Sequence, residues 1–218
     1  MIAVIDYGMG NLRSVSKAIE HVAPAAEVRV TDDPSVVRSA ERVVFPGQGA
    51  MPDCVRELRG RGLYDAVLEA ARDKPFLGIC IGLQMLFEHS EEGDTPGLGV
   101  LPGRVRRFAH KLVDASGQKL KVPHMGWNEV EQRIEHPLWD GIANNTRFYF
   151  VHSFYPIPGV VGLIAAVSRY PVAFACAVAR DNIFAVQFHP EKSAVAGLKL
   201  LANFATWTPA KRALRNAA

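Results

Sequence analysis

The stretch Gly78-Ile79-Cys80-Ile81-Gly82-Leu83-Gln84 decides how this chain is read. An apolar run, Pro75-Phe76-Leu77-Gly78-Ile79, leads straight into a cysteine, and a segment of helical character, Ile81 to His89, follows at once. Strand, sharp turn and helix form the nucleophile-elbow arrangement, with cysteine where hydrolases often carry serine. The flanking glycines have a steric use, because a nucleophile on so tight a turn sits in a strained backbone conformation that bulky neighbours obstruct. The turn also puts sulfur at the start of a helix, where unpaired N–H groups favour an anion. These features point to a catalytic thiolate. The competing reading is a buried structural cysteine, the commoner fate of an isolated Cys. The two part on whether the rest of the chain supplies a base.

Toward the N-terminus the pattern alternates strand and helix. Ile2 to Ile5 reads as a buried strand, followed by the glycine loop Asp6-Tyr7-Gly8-Met9-Gly10-Asn11, with Asn11 suited to capping the next helix. Leu12, Val15, Ala18, Ile19 and Val22 then recur at helical spacing. A strand followed by Gly-x-Gly raises a dinucleotide site, and Asp32 lies at about the distance of a ribose-binding acid. Arg13, however, occupies the third glycine position, and a simple tight turn accounts for the loop. Glu27 to Val30 and Arg42 to Phe45 read as further strands. The second ends at Pro46-Gly47-Gln48-Gly49, where glycines let backbone N–H groups face a ligand. Leu63, Ala66, Val67, Ala70 and Ala71 mark another amphipathic helix ahead of the Cys80 strand. This alternation predicts an α/β fold with a central, mostly parallel sheet flanked by helices.

Past Ser90 the texture changes. Gly93 to Gly103 is rich in glycine and proline and reads as an irregular excursion. Strand-like pieces then dominate: 103–108, 121–123, 147–151, 161–167, 174–179 and 183–188, with Asp181-Asn182 as a hairpin turn between the last two. They predict antiparallel strands added in the C-terminal half. A final helix has Val195, Leu198, Leu201 and Ala202 on one face. Residues 1–208 are expected to form one domain, with 209–218 a frayed tail whose Lys211, Arg212 and Arg215 are solvated.

The chain has 218 residues, 49% of them apolar, and a formal net charge of +3, which demands neither nucleic acid nor membrane. Its densest basic cluster, Arg104, Arg106 and Arg107 with Lys111 nearby, reads as a solvated face. Cys54, Cys80 and Cys176 lie far apart, an odd set that argues against a disulfide framework and for a reducing, cytoplasmic setting. No His/Cys cluster has zinc spacing, so no metal or other cofactor is expected. The opening Met1-Ile2-Ala3-Val4-Ile5-Asp6 reads as a strand, not a leader.

A base for the cysteine lies in Phe184-Ala185-Val186-Gln187-Phe188-His189-Pro190-Glu191-Lys192-Ser193. His189 sits at the tip of a strand, Glu191 follows across a stiffening proline, and strand ends are where α/β sheets assemble their sites. His189 as acid and base, with Glu191 orienting its ring, completes a Cys–His–Glu triad. Gly-x-Cys-x-Gly followed by Gln84, with a distant His-Pro-Glu, resembles the class I (triad) glutamine amidotransferases. Four stretches narrow the likeness: Asp6 to Leu12, Pro123-His124-Met125-Gly126-Trp127-Asn128, Tyr149-Phe150-Val151-His152-Ser153, and Gln187 to Ser193. They resemble the glutaminase subunits of imidazole glycerol phosphate synthase, of histidine biosynthesis, over essentially Ile2 to Phe204.

The resemblance implies hydrolysis of glutamine to glutamate and ammonia. It implies an oxyanion hole from the backbone N–H of Ile81 and the segment Gly47-Gln48-Gly49. In that segment Gln48 stands where the family commonly has Val, which leaves the backbone donor in place. It implies that Gln84, His152 and Ser153 hold the substrate. It also implies a heterodimer with a (β/α)8-barrel cyclase that receives the ammonia, with Asn11, Trp127 and Lys192 at or near the interface. A glutaminase serving another synthase, such as one forming anthranilate, is disfavoured by 7–11 and 124–128. A thiol peptidase and a scaffold with a dead site are the other readings. Against the scaffold stands the intact set of Cys80, His189 and Glu191. His124 and His152 read more simply as loop residues that satisfy hydrogen bonds than as catalytic groups.

Overall fold

Burial on both faces makes the innermost strands near-continuous apolar runs, and two of them carry the chemistry at their ends. The computed structural model describes residues 1–109, 111–114 and 116–210. Its first half alternates: β1 (Ile2–Ile5), α1 (Leu12–Val22), β2 (Val28–Thr31), α2 (Pro34–Ser39), β3 (Arg42–Gly47), α3 (Met51–Gly60), α4 (Tyr64–Asp73) and β4 (Phe76–Cys80). The one-turn helix α5 (Ile81–Gln84) follows. Then come β5 (Phe87–Ser90), β6 (Thr95–Pro96), β7 (Leu101–Arg107), β8 (Leu112–Val113), β9 (Lys119–Leu120), β10 (His124–Gln132), β11 (Thr146–His152) and β12 (Phe154–Pro158). The chain closes with β13 (Ile164–Arg169), β14 (Ala173–Arg180), β15 (Ile183–Val186) and α6 (Ala194–Thr206).

One sheet has the order β11-β10-β13-β14-β15-β4-β3-β1-β2. From β15 to β2 all its pairings are parallel, and from β11 to β15 all are antiparallel. The parallel half and the antiparallel extension are both as the sequence predicts. A second sheet, β12-β7-β5-β6, and the ribbon β8-β9 stand apart from it. Every residue of β4 and β15 is buried. The register sets Gly47 beside Cys80 and Val186 beside Ile79, so β3, β4 and β15 end level at one edge. No helix among the described residues is long and apolar enough to cross a membrane.

Several expectations need correction. The helix after Cys80 lasts one turn instead of running to His89, and Phe87–Ser90 is a strand parallel to β7. The carbonyls of Met85 and Phe87, which a longer helix would use internally, instead accept from Leu98 N at 2.7 Å and Gly99 N at 3.1 Å. The Gly/Pro excursion thus takes the acceptors and ends the helix. Asn11 occupies the cap position of α1, but its side chain makes no capping bond. Residues 121–123 are not a strand; β10 begins directly after them, and its nine residues were legible only as a motif. The buried face of α6 is Gly197, Leu200, Leu201 and Phe204, while Val195 is 81% exposed. Its rotational phase follows from Gly197, which lets the helix press on the Pro190 carbonyl. Residues 211–218 of the expected tail lie outside the described residues.

Candidate active site

Cys80 ends β4 and caps α5 with φ 57° and ψ −110°, a conformation that a non-glycine residue holds only under external constraint. The constraint comes from close backbone approach. A Cβ on Gly82 would lie 1.8 Å from the Phe45 carbonyl oxygen, and one on Gly78 would lie 2.9 Å from Ala185 Cβ. The two glycines therefore seat the elbow against β3 and β15, which is the steric use expected of them with the neighbours now identified.

His189 follows β15 and begins a single 3-10 turn, Pro190–Lys192. Its Nδ1 is 2.9 Å from Glu191 Oε1, and both side chains are almost fully buried. The carboxylate holds a proton on Nδ1 and aims Nε2 away from itself. Among the described residues the buried Nε2 makes no hydrogen bond of ordinary geometry, and the ring lines the same cavity as the Cys80 sulfur that favours its charge. Burial opposes charge on this ring, but the Cys80 sulfur and then Glu191 favour it, and the net effect pushes the His189 pKa up to about 10. The backbone is tied from both sides: His189 N donates to Tyr149 O at 2.9 Å, and Ser193 Oγ donates to His189 O at 2.6 Å while accepting from Tyr149 N at 3.0 Å.

Cys80 and His189 open on one cavity of about 580 Å³. Gln48, Gly49, Ile81, Gln84, His152, Ser153 and Lys192 also line it, so nearly all the expected oxyanion and substrate residues converge. Gly47 lies behind that wall, beside Cys80 in the sheet. Two side chains hold its segment: Tyr7 Oη donates to Pro46 O at 2.9 Å, and Cys54 Sγ to Gln48 O at 3.4 Å. Gln84 lines the cavity, and its buried Oε1 has no partner among the described atoms. Asn11 and Trp127 are not in the cavity wall. Asn11 directly follows Gly10, which is, and Trp127 is half exposed on β10 with Met125 on the same face. Among the described residues no group of three or more His, Cys, Asp or Glu side chains is placed to hold a metal ion.

The other two histidines nearby are spoken for. His152 Nδ1 lies 2.8 Å from the Phe154 carbonyl, which only accepts, so that nitrogen carries the proton and Nε2 accepts. Nε2 is 3.0 Å from His124 Nδ1, which must donate; His124 Nε2 then accepts from Asn128 Nδ2 at 3.2 Å. Burial lowers the pKa of His124 to about 4 and that of His152 to about 3. Their reading as hydrogen-bonding residues agrees with this geometry, but they are not in loops: His124 begins β10 and His152 ends β11, paired across the sheet, and His152 also lines the cavity. Sequence reasoning missed Glu92, a half-buried carboxylate in the cavity wall that accepts from Met51 N at 2.9 Å and whose pKa burial raises. It also missed Gln187, whose Nε2 is 3.7 Å from Cys80 Sγ. The available signal was a polar residue inside an otherwise apolar buried strand motif, Phe184 to Phe188.

A family model described as glutamine amidotransferase class-I matches residues 3–207. The imidazole glycerol phosphate synthase subunit HisH of Aromatoleum aromaticum is 68% identical over 209 residues, covering 95% of this chain and 99% of that protein. The subunit of the same name from Thiobacillus denitrificans is 65% identical over 213 residues, covering 97% and 93%. Among solved structures, a glutamine amidotransferase superposes with a TM-score of 0.66 at 18% identity, over 94% of this chain and 97% of that one. The glutaminase domain of Trypanosoma brucei CTPS with bound acivicin gives 0.60 at 18%, over 94% and 93%. At that identity the two structures speak to the fold alone.

Proposed function

The chain belongs to the class-I glutamine amidotransferase family, and from that premise we propose that it is the glutaminase subunit of imidazole glycerol phosphate synthase. It hydrolyses glutamine to glutamate and passes ammonia to a cyclase subunit that makes imidazole glycerol phosphate and aminoimidazole carboxamide ribotide in histidine biosynthesis. The relatives above carry that subunit name at 65–68% identity over nearly the whole chain. The observation that carries the chemistry is Cys80 on its positive-φ turn, sharing a cavity with a His189 that Glu191 orients.

In the proposed cycle the Cys80 thiolate attacks the side-chain amide carbon of glutamine. The oxyanion that forms is met by the Ile81 N–H and by an N–H of the Gly47-Gln48-Gly49 segment. His189, charged and with its proton at Nε2, gives that proton to the departing nitrogen as the C–N bond breaks, releasing ammonia and leaving a glutamyl thioester. The neutral Nε2 then takes a proton from water, which attacks the thioester. Breaking the C–S bond frees glutamate and restores the charged pair. Glu191 keeps Nδ1 protonated throughout. Gln84, Ser153 and the backbone near His152 hold the substrate.

Ammonia is useful only unprotonated and undiluted, which argues for direct transfer to a partner. We assign that partner as a (β/α)8-barrel cyclase forming a heterodimer. Lys192 lies exposed at the cavity, while Trp127 and Met125, 50% and 62% exposed, offer the apolar contact a protein interface uses. Asn11 belongs to the same proposed face. Three unpaired thiols suit a reducing cytoplasm. Cys80→Ala tests the proposal. It is expected to abolish glutamine-dependent synthesis by the complex while ammonia-dependent synthesis continues. Undiminished glutamine-dependent activity rejects the assignment.

A further inference from the structure

The proposed cycle leaves unused a buried amide in contact with the nucleophile. Gln187 is completely buried, one residue beyond β15 and two before His189. Its backbone N donates to Cys176 O at 2.8 Å, which fixes it in the sheet. Its side chain belongs to a chain of three contacts: Phe154 O to Gln84 Nε2 at 3.1 Å, Gln84 Nε2 to Gln187 Oε1 at 3.1 Å, and Gln187 Nε2 to Cys80 Sγ at 3.7 Å.

The polarity of this chain has one solution. A backbone carbonyl accepts and never donates, so Gln84 must turn its NH2 group to Phe154. The second hydrogen of that NH2 then goes to an acceptor, which makes the Gln187 atom facing it the carbonyl oxygen. Gln187 is left with its NH2 toward sulfur. The starting point is itself anchored, because Phe154 O also accepts from His152 Nδ1 at 2.8 Å. Neither amide can flip without breaking bonds at the next link, and for buried side chains each broken link leaves a polar atom unpaired.

We infer that Gln187 is a positioning residue for Cys80: its amide N–H holds the sulfur at the cavity and stabilises negative charge on it before attack and when the thioester breaks. The inference rests on the reading of Cys80 as the nucleophile. The Phe154–Gln84 chain fixes this orientation independently of the sulfur, so the NH2 is already turned to Cys80 before any charge develops there. N–H donors to sulfur act over longer distances than those to oxygen, and they act most strongly when the sulfur is charged.

Gln187→Met, close in length but without the amide, separates this role from mere packing. With the cyclase present, kcat for glutamine is expected to fall about 10–100-fold, with a smaller rise in KM because Gln84 loses one acceptor but keeps Phe154 O, while ammonia-dependent synthesis is retained. The pH profile of Cys80 alkylation by iodoacetamide is expected to move. A folded Gln187→Met protein with wild-type kcat, or with reduced kcat but an unmoved alkylation profile, overturns the proposal. If that variant fails to fold, the wild-type chain gives the reading by NMR. Alkylating Cys80 is expected to shift the Gln187 side-chain amide resonances, and unmoved resonances overturn it. Cys80→Ala assayed beside it keeps the two claims apart: retained glutaminase activity there rejects the nucleophile itself, whereas its loss beside a wild-type-like Gln187→Met rejects only the role of Gln187.

Discussion

Replacing Gly197 by alanine probes whether α6 sets the position of His189, the proposed acid–base group, from outside the cavity. An added Cβ would lie 1.9 Å from Pro190 O, 2.7 Å from Pro190 C and 2.8 Å from Ser193 Cβ. Restoring ordinary contact to the carbonyl oxygen requires an opening of about 1 Å between helix and turn. Neither side yields easily. Pro190 O already accepts from Ser193 N at 3.0 Å, and Gly197 N donates to Ser193 O at 3.0 Å. His189 and Ser193 are bound to Tyr149 on β11. Overpacking of this kind costs about 1–3 kcal/mol, and the helix-propensity gain of Gly→Ala returns up to about 1 kcal/mol, so a net loss of about 1–2 kcal/mol is expected in urea unfolding. The larger effect is expected in kcat. A displacement of about 1 Å at the acid–base group lowers rate by about 100-fold, read as glutamine-dependent ammonia release with the cyclase present. Gly60→Ala, at the end of α3 with nothing within 4 Å of the new methyl, is the control and is expected to leave kcat nearly unchanged and stability equal or up to about 1 kcal/mol higher. A Gly197→Ala protein with kcat within twofold of wild type would refute the claim that α6 positions His189, whatever its stability.

Two further outcomes follow from the buried titratable groups. Burial pushes the Cys54 thiol up to about 12 and the Cys176 thiol well above its ordinary value, so brief iodoacetamide treatment of the native protein at pH 8 is expected to label Cys80 alone, and all three cysteines after unfolding in urea. Early labelling of Cys54 or Cys176, mapped by mass spectrometry, contradicts this. Burial also lowers His124 and His136 to about 4 and His152 to about 3, against an unfolded value of about 6.5. As pH falls below 6.5 the unfolded chain takes up protons that the folded chain refuses, so stability is full above that value and lost toward pH 4, by up to about 1.4 kcal/mol per pH unit for each histidine. His189, raised instead, contributes stability that is complete below pH 6.5 and lost only as pH rises toward 10. A urea midpoint that stays flat from pH 7 to 5 rejects the burial argument.

The parallel half of the sheet was readable because β1, β3, β4 and β15 are short apolar runs bounded by glycine and polar residues, the pattern that double-sided burial imposes. The convergence of Cys80 and His189 was readable because Cys80 ends β4 and His189 opens the turn that follows β15, each in a distinctive local motif. Where reading failed, a distant partner had overridden local preference. The segment after Cys80 has helical spacing, yet the chain around Gly97 and Leu98 captures its carbonyls and turns Phe87–Ser90 into a strand. The face of α6 was misassigned because hydrophobic spacing weighs Val195 above Gly197, whereas packing selects the residue with no side chain where helix and turn touch. Strand β10 was hidden by alternation: its outward residues include Met125 and Trp127, so it lacks the polar-out pattern of an ordinary half-buried strand.

The three histidines nearest the site show why residue type alone does not assign a base. His124, His152 and His189 are all at least nine-tenths buried, and desolvation acts on each in the same direction, toward the neutral ring. Only the partners differ. His124 and His152 face each other, an amide and a carbonyl; each nitrogen is engaged, and no anion offsets the loss of water. His189 has a carboxylate on one nitrogen, and its other nitrogen makes no hydrogen bond among the described residues while the Cys80 sulfur favours charge on the ring. That pairing reverses the effect of burial and leaves Nε2 free to move a proton. Among the described residues His189 alone of the three combines a charge-stabilising partner with a nitrogen that makes no hydrogen bond, the two features that the proton transfer proposed above requires.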